Sequence, residues 1–557
     1  MQLNANVNER ISDWHSIDWY SVYRNIRNLR RRIFKATQDQ NWRKVRNLQK
    51  LMLRSFSNIL ESVRKVTLVN KGSKTAGLDK VLVKTPKQRL ALSYDLAFDH
   101  STKAIPAKRV YIPKKNGKLR PLGIPVIRDR CLQAIVKNAL EPCWEAQFEG
   151  ISYGFRPGRS PHDAICKIYQ IARPNKTKKW VVDADIKGCF DNINHDKLLK
   201  VMGNFPYRHL IEKWLKAGYM DKNVFHPQQN GTPQGNIVSP LLANIALHGM
   251  EKALGVEYNH KGELKGNRCL VRYADDFVIF CKTKEDAELA MNEVNQWLST
   301  RGLSLSVEKT KIVNLLDGFD FLGFNIRHYK VKNTKTGLKL LIKPSKDFLQ
   351  KTRNDIREVF LNHIGKPVDV LIGKINPIIR GKANYLNKAV SSRAFRTLDD
   401  YIFTREVRYV KRTHPNKPKY WTSNKYWGRL NLQKPNQKWV FGNKKSGNYI
   451  IKFAWTKIKR HTLVSKRASP DDPALREYWE KRNKKSDKSE VEIFNKKQAI
   501  IAGKQDFKCP VCGQTLFNNE PLHLHHIVPR NKGGKDNVNN LVWLHLYCHH
   551  KTHFEKE

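Results

Sequence analysis

Two adjacent carboxylates, Asp275 and Asp276, stand between two apolar runs, 269–272 and 277–281, in a 557-residue chain whose formal net charge is +54. The runs are β-branched or aromatic and read as buried strands, which puts Tyr273-Ala274-Asp275-Asp276 at the tip of a hairpin. Side-by-side carboxylates beside such strands repel and are poorly solvated, so divalent cations are their natural counter-charge. Asp is also a common turn former, which would account for the pair without chemistry. A third carboxylate favours chemistry. The run 179–191 reads as a strand ending in a turn, with Asp185 at the strand end. Asp183 shares that strand face by period-two alternation and competes with it, but Asp185, nearest the turn, reaches furthest towards a ligand at the sheet edge. Three carboxylates suffice for two ions about 3.5–4 Å apart, one activating an attacking hydroxyl and one stabilising the leaving group of a nucleotidyl transfer.

A second constellation occupies the last fifty residues. Cys509-Pro-Val-Cys512 and His545-Leu-Tyr-Cys548 are two pairs of soft ligands at two-residue internal spacing, the pattern of a tetrahedral structural zinc site. Between the pairs lie His525 and His526, then Asn540; beyond them come His549 and His553, four apart and able to share a helical face. Seven His and three Cys within residues 509–553 point to metal chemistry rather than to isolated core histidines.

The elements that must position these groups carry a family resemblance. Over residues 70–326 the chain resembles the reverse transcriptase of group II intron-encoded proteins, through Lys71-Gly-Ser-Lys-Thr-Ala-Gly-Leu-Asp79, Tyr111-Ile-Pro-Lys-Lys-Asn-Gly-Lys-Leu-Arg-Pro-Leu-Gly-Ile-Pro125 and Tyr153-Gly-Phe-Arg-Pro-Gly-Arg-Ser160. Next come the Asp185 block, Gly231-Thr-Pro-Gln-Gly-Asn-Ile-Val-Ser-Pro240, the Tyr-Ala-Asp-Asp hairpin, Gly302-Leu-Ser-Leu-Ser-Val-Glu-Lys-Thr-Lys311 and Phe319-Asp-Phe-Leu-Gly323. The resemblance implies that Asp185, Asp275 and Asp276 hold two Mg2+ ions, and that Lys114 and Arg120 clamp the incoming deoxynucleoside triphosphate. It further implies that Gln234 contacts the nucleotide, Phe190 crowds a ribose 2′-hydroxyl, and Lys309 protonates the leaving pyrophosphate. Arg suits bidentate phosphate contact and Lys a point charge.

The C-terminal segment resembles an HNH endonuclease of the ββα-metal fold, with a mixed Cys and His zinc set. That resemblance implies His526 as general base, Asn540 orienting it or its loop, and a catalytic divalent ion on His525, His549 and His553. Ile375-Asn-Pro-Ile-Ile-Arg-Gly-Lys-Ala-Asn-Tyr385 and Thr413-His-Pro-Asn-Lys417 resemble the maturase domain of intron proteins.

These blocks imply an α/β multidomain chain. Residues 1–65 form a helical N-terminal extension, with Tyr20, Tyr23, Ile26, Leu29 and Ile33 recurring at helical spacing. Residues 66–335 form right-hand polymerase fingers and an antiparallel palm, and 336–450 a helical thumb and maturase domain. A DNA-binding segment and linker follow at 451–498, and the HNH domain at 499–557. The expected function is RNA-directed DNA synthesis, intron RNA binding that promotes splicing, and nicking of target DNA for target-primed reverse transcription. Competing classes are a non-enzymatic RNA-binding splicing cofactor and a host defence or diversification reverse transcriptase.

Charge and composition agree with polyanion partners. Residues 401–450 hold twelve Lys or Arg against one acid, Glu406, interleaved with ten aromatics, a mixture suited to RNA or single strands. No run of about 18 apolar residues occurs, and the first ten residues carry no secretion signal. Nine cysteines, six of them scattered singly, fit a reducing compartment such as a bacterial cytoplasm or nucleoid, or an organelle interior.

Overall fold

A computed structural model of the chain describes residues 11–98, 104–113, 117, 119–258, 264–431, 436–490, 494, 496–518 and 520–554. The N-terminal helix Trp19–Gln38 is started by Asp18, whose side chain accepts from the Tyr20 and Ser21 N–H groups. Its buried stripe is Val22, Ile26, Leu29 and Ile33. Tyr20, expected on that stripe, is 50% exposed. Six residues before Ile26, it falls on another face at about 3.6 residues per turn. Helices Trp42–Arg54 and Phe56–Arg64 complete the N-terminal layer, which packs on the helix Ile127–Glu145.

The palm is a four-stranded antiparallel sheet in the order Lys311–Asn314, Trp180–Asp185, Asp276–Cys281, Cys269–Tyr273. Phe277, Val278, Ile279 and Phe280 are fully buried, because the helix Lys284–Ser299 lies against one face of this sheet. A fingers sheet pairs Ala107–Pro113 with Leu119–Ile124 in antiparallel fashion and with Tyr219–Asp221 in parallel. The strands Phe319–Phe321, Phe324–Lys330 and Leu338–Pro344 form an antiparallel meander leading into the helices Lys346–Leu361, Val368–Leu386 and Ser392–Thr413. At the C-terminal side, the hairpin of Leu522–His526 with Leu541–His545 is followed by the helix Leu546–Phe554, a ββα unit.

Polar contacts under the palm are satisfied by buried arginines. Arg156 grips Glu145 through two hydrogen bonds of 2.9 Å and donates to the Glu149 and Ser152 carbonyls, and both side chains of the pair are 1% exposed. Breaking such a pair strands a buried charge. Arg156→Met is therefore expected to cost about 3–5 kcal/mol and to lower the calorimetric midpoint of the polymerase body. Adding Glu145→Gln should recover part of that loss; a double variant no more stable than Arg156→Met would show that the stranded carboxylate is not the cost.

Candidate active sites and nucleic-acid interface

The palm hairpin is tighter than the sequence suggests. Tyr273 pairs with Asp276, so only Ala274 and Asp275 form the turn, and Ala274 takes a left-handed φ of 59°. Positive φ at the first turn residue matches a II′-like hairpin, a position that ordinarily favours Gly. Three neighbours hold it. The Arg272 guanidinium, 1% exposed, donates to the Ala274 carbonyl (3.2 Å) and to Asn244 Oδ1 (3.1 Å). Asn244 in turn donates to the Gly154 carbonyl (2.9 Å). Gly154 lies so close that a Cβ there would stand 2.4 Å from the Ala274 nitrogen. Glu149, 3.9 Å from Arg272, is opposed by burial but held down at about 2 by the His248 hydrogen bond and the Arg272 charge. None of these supports has a local sequence signal; they are contacts between distant segments.

The turn puts the carboxylates together. Asp185 lies directly across the sheet from Asp276, and Asp275 is next along the chain. Burial, Asp275 and Asp185 push the Asp276 carboxyl up to about 7, although one side of it meets solvent, and burial likewise raises Asp275. Crowded like charges of this kind are the donor set for hard cations. Asp183, the competitor, sits across from Lys311 and Val278, two residue pairs further into the sheet; burial and Asp320 raise it to about 7.

The other sequence-derived residues converge unevenly on this end of the sheet. Lys309 hydrogen-bonds Asp185, which keeps the lysine charged by raising its pKa. Arg120 lies in the fingers strand and is near enough to Asp275 to offset its charge. Gln234 belongs to a loop seated on the same strand: its carbonyl accepts from the Gly123 N–H (2.6 Å), and a Cβ at Gly235 would stand 2.3 Å from the Gly123 oxygen. Phe190 is half-buried in the short helix Cys189–Asn192, edge-on to Phe155. Lys114 lies outside the described residues.

At the C-terminal unit, Cys509, Cys512, His545 and Cys548 are buried, with ligand atoms all within 4.8 Å of one another. Cys512 Sγ is 3.3 Å from His545 Nδ1, close to the roughly 3.5 Å that tetrahedral zinc bonds of about 2.3 and 2.0 Å would give. His545 Nε2 meets the Thr515 carbonyl at 3.1 Å, which fixes the tautomer leaving Nδ1 to the ligand set. The donor set is compatible with zinc. His525, His549 and His553 form a second cluster of the same tightness, with His549 Nε2 3.2 Å from His553 Nε2. Burial and the surrounding imidazoles lower His549 to about 4, so it is neutral at pH 7, the form that ligates. His526 instead turns to Asp536 (2.5 Å), which Arg530 also engages (2.6 Å). Asp536 carries no sequence signal as this partner, since nine residues separate it from His526. Asn540 braces the intervening loop, accepting from the Val528 N–H and donating to the Val528 and Lys535 carbonyls at 2.8–3.0 Å.

The basic aromatic stretch resolves into distinct roles. Trp427 is core, Trp439 is 55% exposed, and Tyr420 is 72% exposed. Trp421 is faced by Lys417 and Lys425 at 5.5 and 4.7 Å. Arg408, Lys411 and Arg412 are exposed, whereas Arg405 lies on the Tyr401 ring. Glu406 is withdrawn into the core, where burial lifts its carboxyl to about 8 against the hydrogen bond from Trp427 Nε1. Among the described residues of this stretch, the surface charge is wholly positive.

Comparison with known proteins matches four family models: "N-terminal domain of reverse transcriptase" at 14–96, "Reverse transcriptase (RNA-dependent DNA polymerase)" at 112–326, "Group II intron, maturase-specific domain" at 349–427 and "HNH endonuclease" at 509–555. Protein YkfC of Escherichia coli is 36% identical over 48% of this chain and 80% of its own length. An uncharacterized 91 kDa protein in the cob intron of Schizosaccharomyces pombe is 33% identical over 50% of this chain and 43% of its own length. The group II intron-encoded protein LtrA of Lactococcus lactis is 34% identical over 46% of this chain and 53% of its own length. No helix among the described residues is long and apolar enough to cross a membrane.

The buried Glu406 makes stability pH-dependent. Its raised pKa means that its contribution to stability is fully present below about pH 4.5, the ordinary value of the carboxyl, and is lost as pH rises through about 8. The melting temperature of the helical region should fall by several degrees from pH 5 to pH 9, and Glu406→Gln should flatten that dependence. Equal slopes for both proteins would contradict the assignment.

Proposed function

Given that this chain belongs to the family of group II intron-encoded reverse transcriptases with a maturase-specific domain and an HNH endonuclease domain, we propose that it copies intron RNA into DNA at the palm. In this reading it also binds that RNA to promote splicing, and nicks target DNA to supply the primer. The observation that carries it is the pairing of Asp185 with Asp276 across the sheet, beside Asp275 and within reach of the fingers strand.

Two Mg2+ ions bound there would lower the cost of forming a 3′-alkoxide and of expelling pyrophosphate. The chain's own groups do the rest. Asp185, Asp275 and Asp276 fix where the charge is balanced. Arg120, on a strand held by its antiparallel register, contacts phosphate, with Lys114 assigned to the same task. Gln234 and Phe190 frame the nucleotide, and Phe190 disfavours a 2′-hydroxyl. The primer 3′-hydroxyl gives its proton to solvent and its oxygen bonds to the α-phosphorus as the bond to pyrophosphate breaks, while the Lys309 ammonium, held charged by Asp185, gives a proton to the leaving oxygen and regains one from solvent.

In the HNH unit, Asp536 accepts from His526 Nε2–H, so Nδ1 is the basic nitrogen that takes a proton from water. The hydroxide bonds to phosphorus, the bond to O3′ breaks, and the 3′ oxygen takes up a solvent proton to become the primer hydroxyl. Asn540 holds the loop that carries His526's partner. A divalent ion on His525, His549 and His553 would polarise the phosphate, and zinc on the Cys509 cluster would hold the fold. RNA binds along 401–450, where exposed rings and cations meet bases and phosphates.

Asp276→Asn should reduce primer extension on an RNA template by about 10³-fold or more, because ligand charge is lost at the reacting centre. RNA affinity should stay near wild type. Extension at the wild-type rate would remove the palm assignment.

His526→Ala should lower strand nicking of a labelled duplex by roughly 10²–10⁴-fold while sparing extension of a supplied primer. Cys509→Ser should abolish nicking together with protease resistance of the C-terminal unit, since structural zinc supplies folding free energy. Normal nicking by His526→Ala would make the histidine cluster a DNA-binding module instead.

A further inference from the structure

The metal cluster of the C-terminal unit is not closed by its own domain. Arg64, at the end of the N-terminal helix Phe56–Arg64, is 2% exposed and points at it. Its Nη2 donates to Glu520 Oε2 at 2.9 Å and lies 3.7 Å from Cys548 Sγ, a ligand 484 residues further along the chain. The guanidinium is stacked over Trp19 at 4.7 Å and near Tyr23 at 5.8 Å, while its Nε and Nη1 find no protein partner. Around it the two segments are stitched together. Tyr547 donates its hydroxyl to the Leu68 carbonyl (3.2 Å), and Lys551 Nζ donates to the Ile17 carbonyl (2.6 Å). Gly513, one residue past Cys512 and with φ +67°, lies so close to Tyr20 that a Cβ would meet its ring at 2.8 Å.

We infer that Arg64 is an outer-sphere member of the four-ligand metal site, supplied by the N-terminal helices, so that metal occupancy and seating of the nuclease unit on the polymerase body are one coupled equilibrium. Three ligating thiolates and a neutral imidazole leave a zinc centre with net negative charge, and metal-bound sulfur is a stronger acceptor than a thiol. A buried cation donating to Cys548 therefore favours the metal-bound cluster, and the cluster favours burial of that cation. Glu520 balances the Arg64 charge through Nη2, and the Cys548 sulfur is a second acceptor for that same nitrogen. Coupling of this kind is reciprocal: whatever factor docking adds to metal affinity, metal adds to docking. The inference rests on the metal reading of Cys509, Cys512, His545 and Cys548, and is independent of the nuclease reading.

The test uses the full-length chain loaded with Co2+, whose near-ultraviolet sulfur-to-cobalt band reports the cysteine site and is silent for the histidine cluster. Loss of the band to excess EDTA is timed for the wild type, Arg64→Gln and Arg64→Lys, and hydrogen exchange of residues 17–23 and 64–69 is followed in the wild type before and after metal removal. Arg64→Gln should release metal about 5- to 150-fold faster, the usual range of coupling, and Arg64→Lys, which keeps the charge, should fall between. Stripping the wild type should speed exchange in both N-terminal segments, a readout that does not require either variant to fold. A wild type that never develops the band overturns the metal reading and the inference with it. A wild type that shows the band, but whose N-terminal exchange ignores metal removal and whose Arg64→Gln variant releases at the wild-type rate, overturns the coupling alone.

Discussion

Antiparallel register between Trp180–Asp185 and Asp276–Cys281 is the constraint from which the palm site follows. A slip of one residue would turn Asp185 to the opposite face and separate it from Asp276. On the other side of Asp276–Cys281, a two-residue turn fixes Asp276 opposite Tyr273. That turn holds Ala274 in a conformation an L-residue disfavours, and Arg272, Asn244 and Gly154 over-determine it. Backbone strain and buried charge thus meet under the carboxylates, where position matters most to the chemistry.

The distribution of acids explains how so basic a chain folds. Glu145, Glu149, Glu141 and Asp471 are buried against Arg156, Arg272 and Arg30, and Glu406 is buried beside Trp427. These five acids lie inside, four of them beside arginines that the packing requires, whereas others such as Asp39, Glu288, Glu480 and Asp506 pair with lysines or arginines at the surface. Asp163 shows the same economy between distant segments: His461, Arg482 and the Val464 N–H all converge on it, which ties the basic segment after 450 to the helix Pro161–Ile171 beside the palm. With 104 Lys and Arg against 50 Asp and Glu, a polyanion meets a chain in which positive charge outweighs negative about two to one.

What could be read from the sequence was what is local. Apolar run length and β-branching marked the strands flanking Asp275 and Asp276, and two-residue ligand spacing marked the cluster of Cys509, Cys512, His545 and Cys548. The cross-sheet partner of Asp276 could be argued only from position along a strand, and the structure places Asp185 there and Asp183 two pairs deeper. Tyr20 shares the aromatic spacing of the stripe but not its helix phase, which Val22 sets. Asp536, Arg272, Asn244, Arg64 and Glu520 left no trace in the sequence, since each acts on a partner that only the folded chain brings near.

The bond between Arg64 and Glu520 spans 456 residues, and this has a consequence for the order in which the chain can be completed. At about 5–20 residues per second, synthesis leaves Arg64 roughly 20–90 seconds without its carboxylate partner. During that interval the guanidinium stays hydrated and the edge formed by Trp19, Tyr23 and Leu68 stays uncovered. The N-terminal layer thus emerges long before Glu520 and stays unfinished until that residue arrives, and the closing step waits for the segment that carries Glu520 and Cys548.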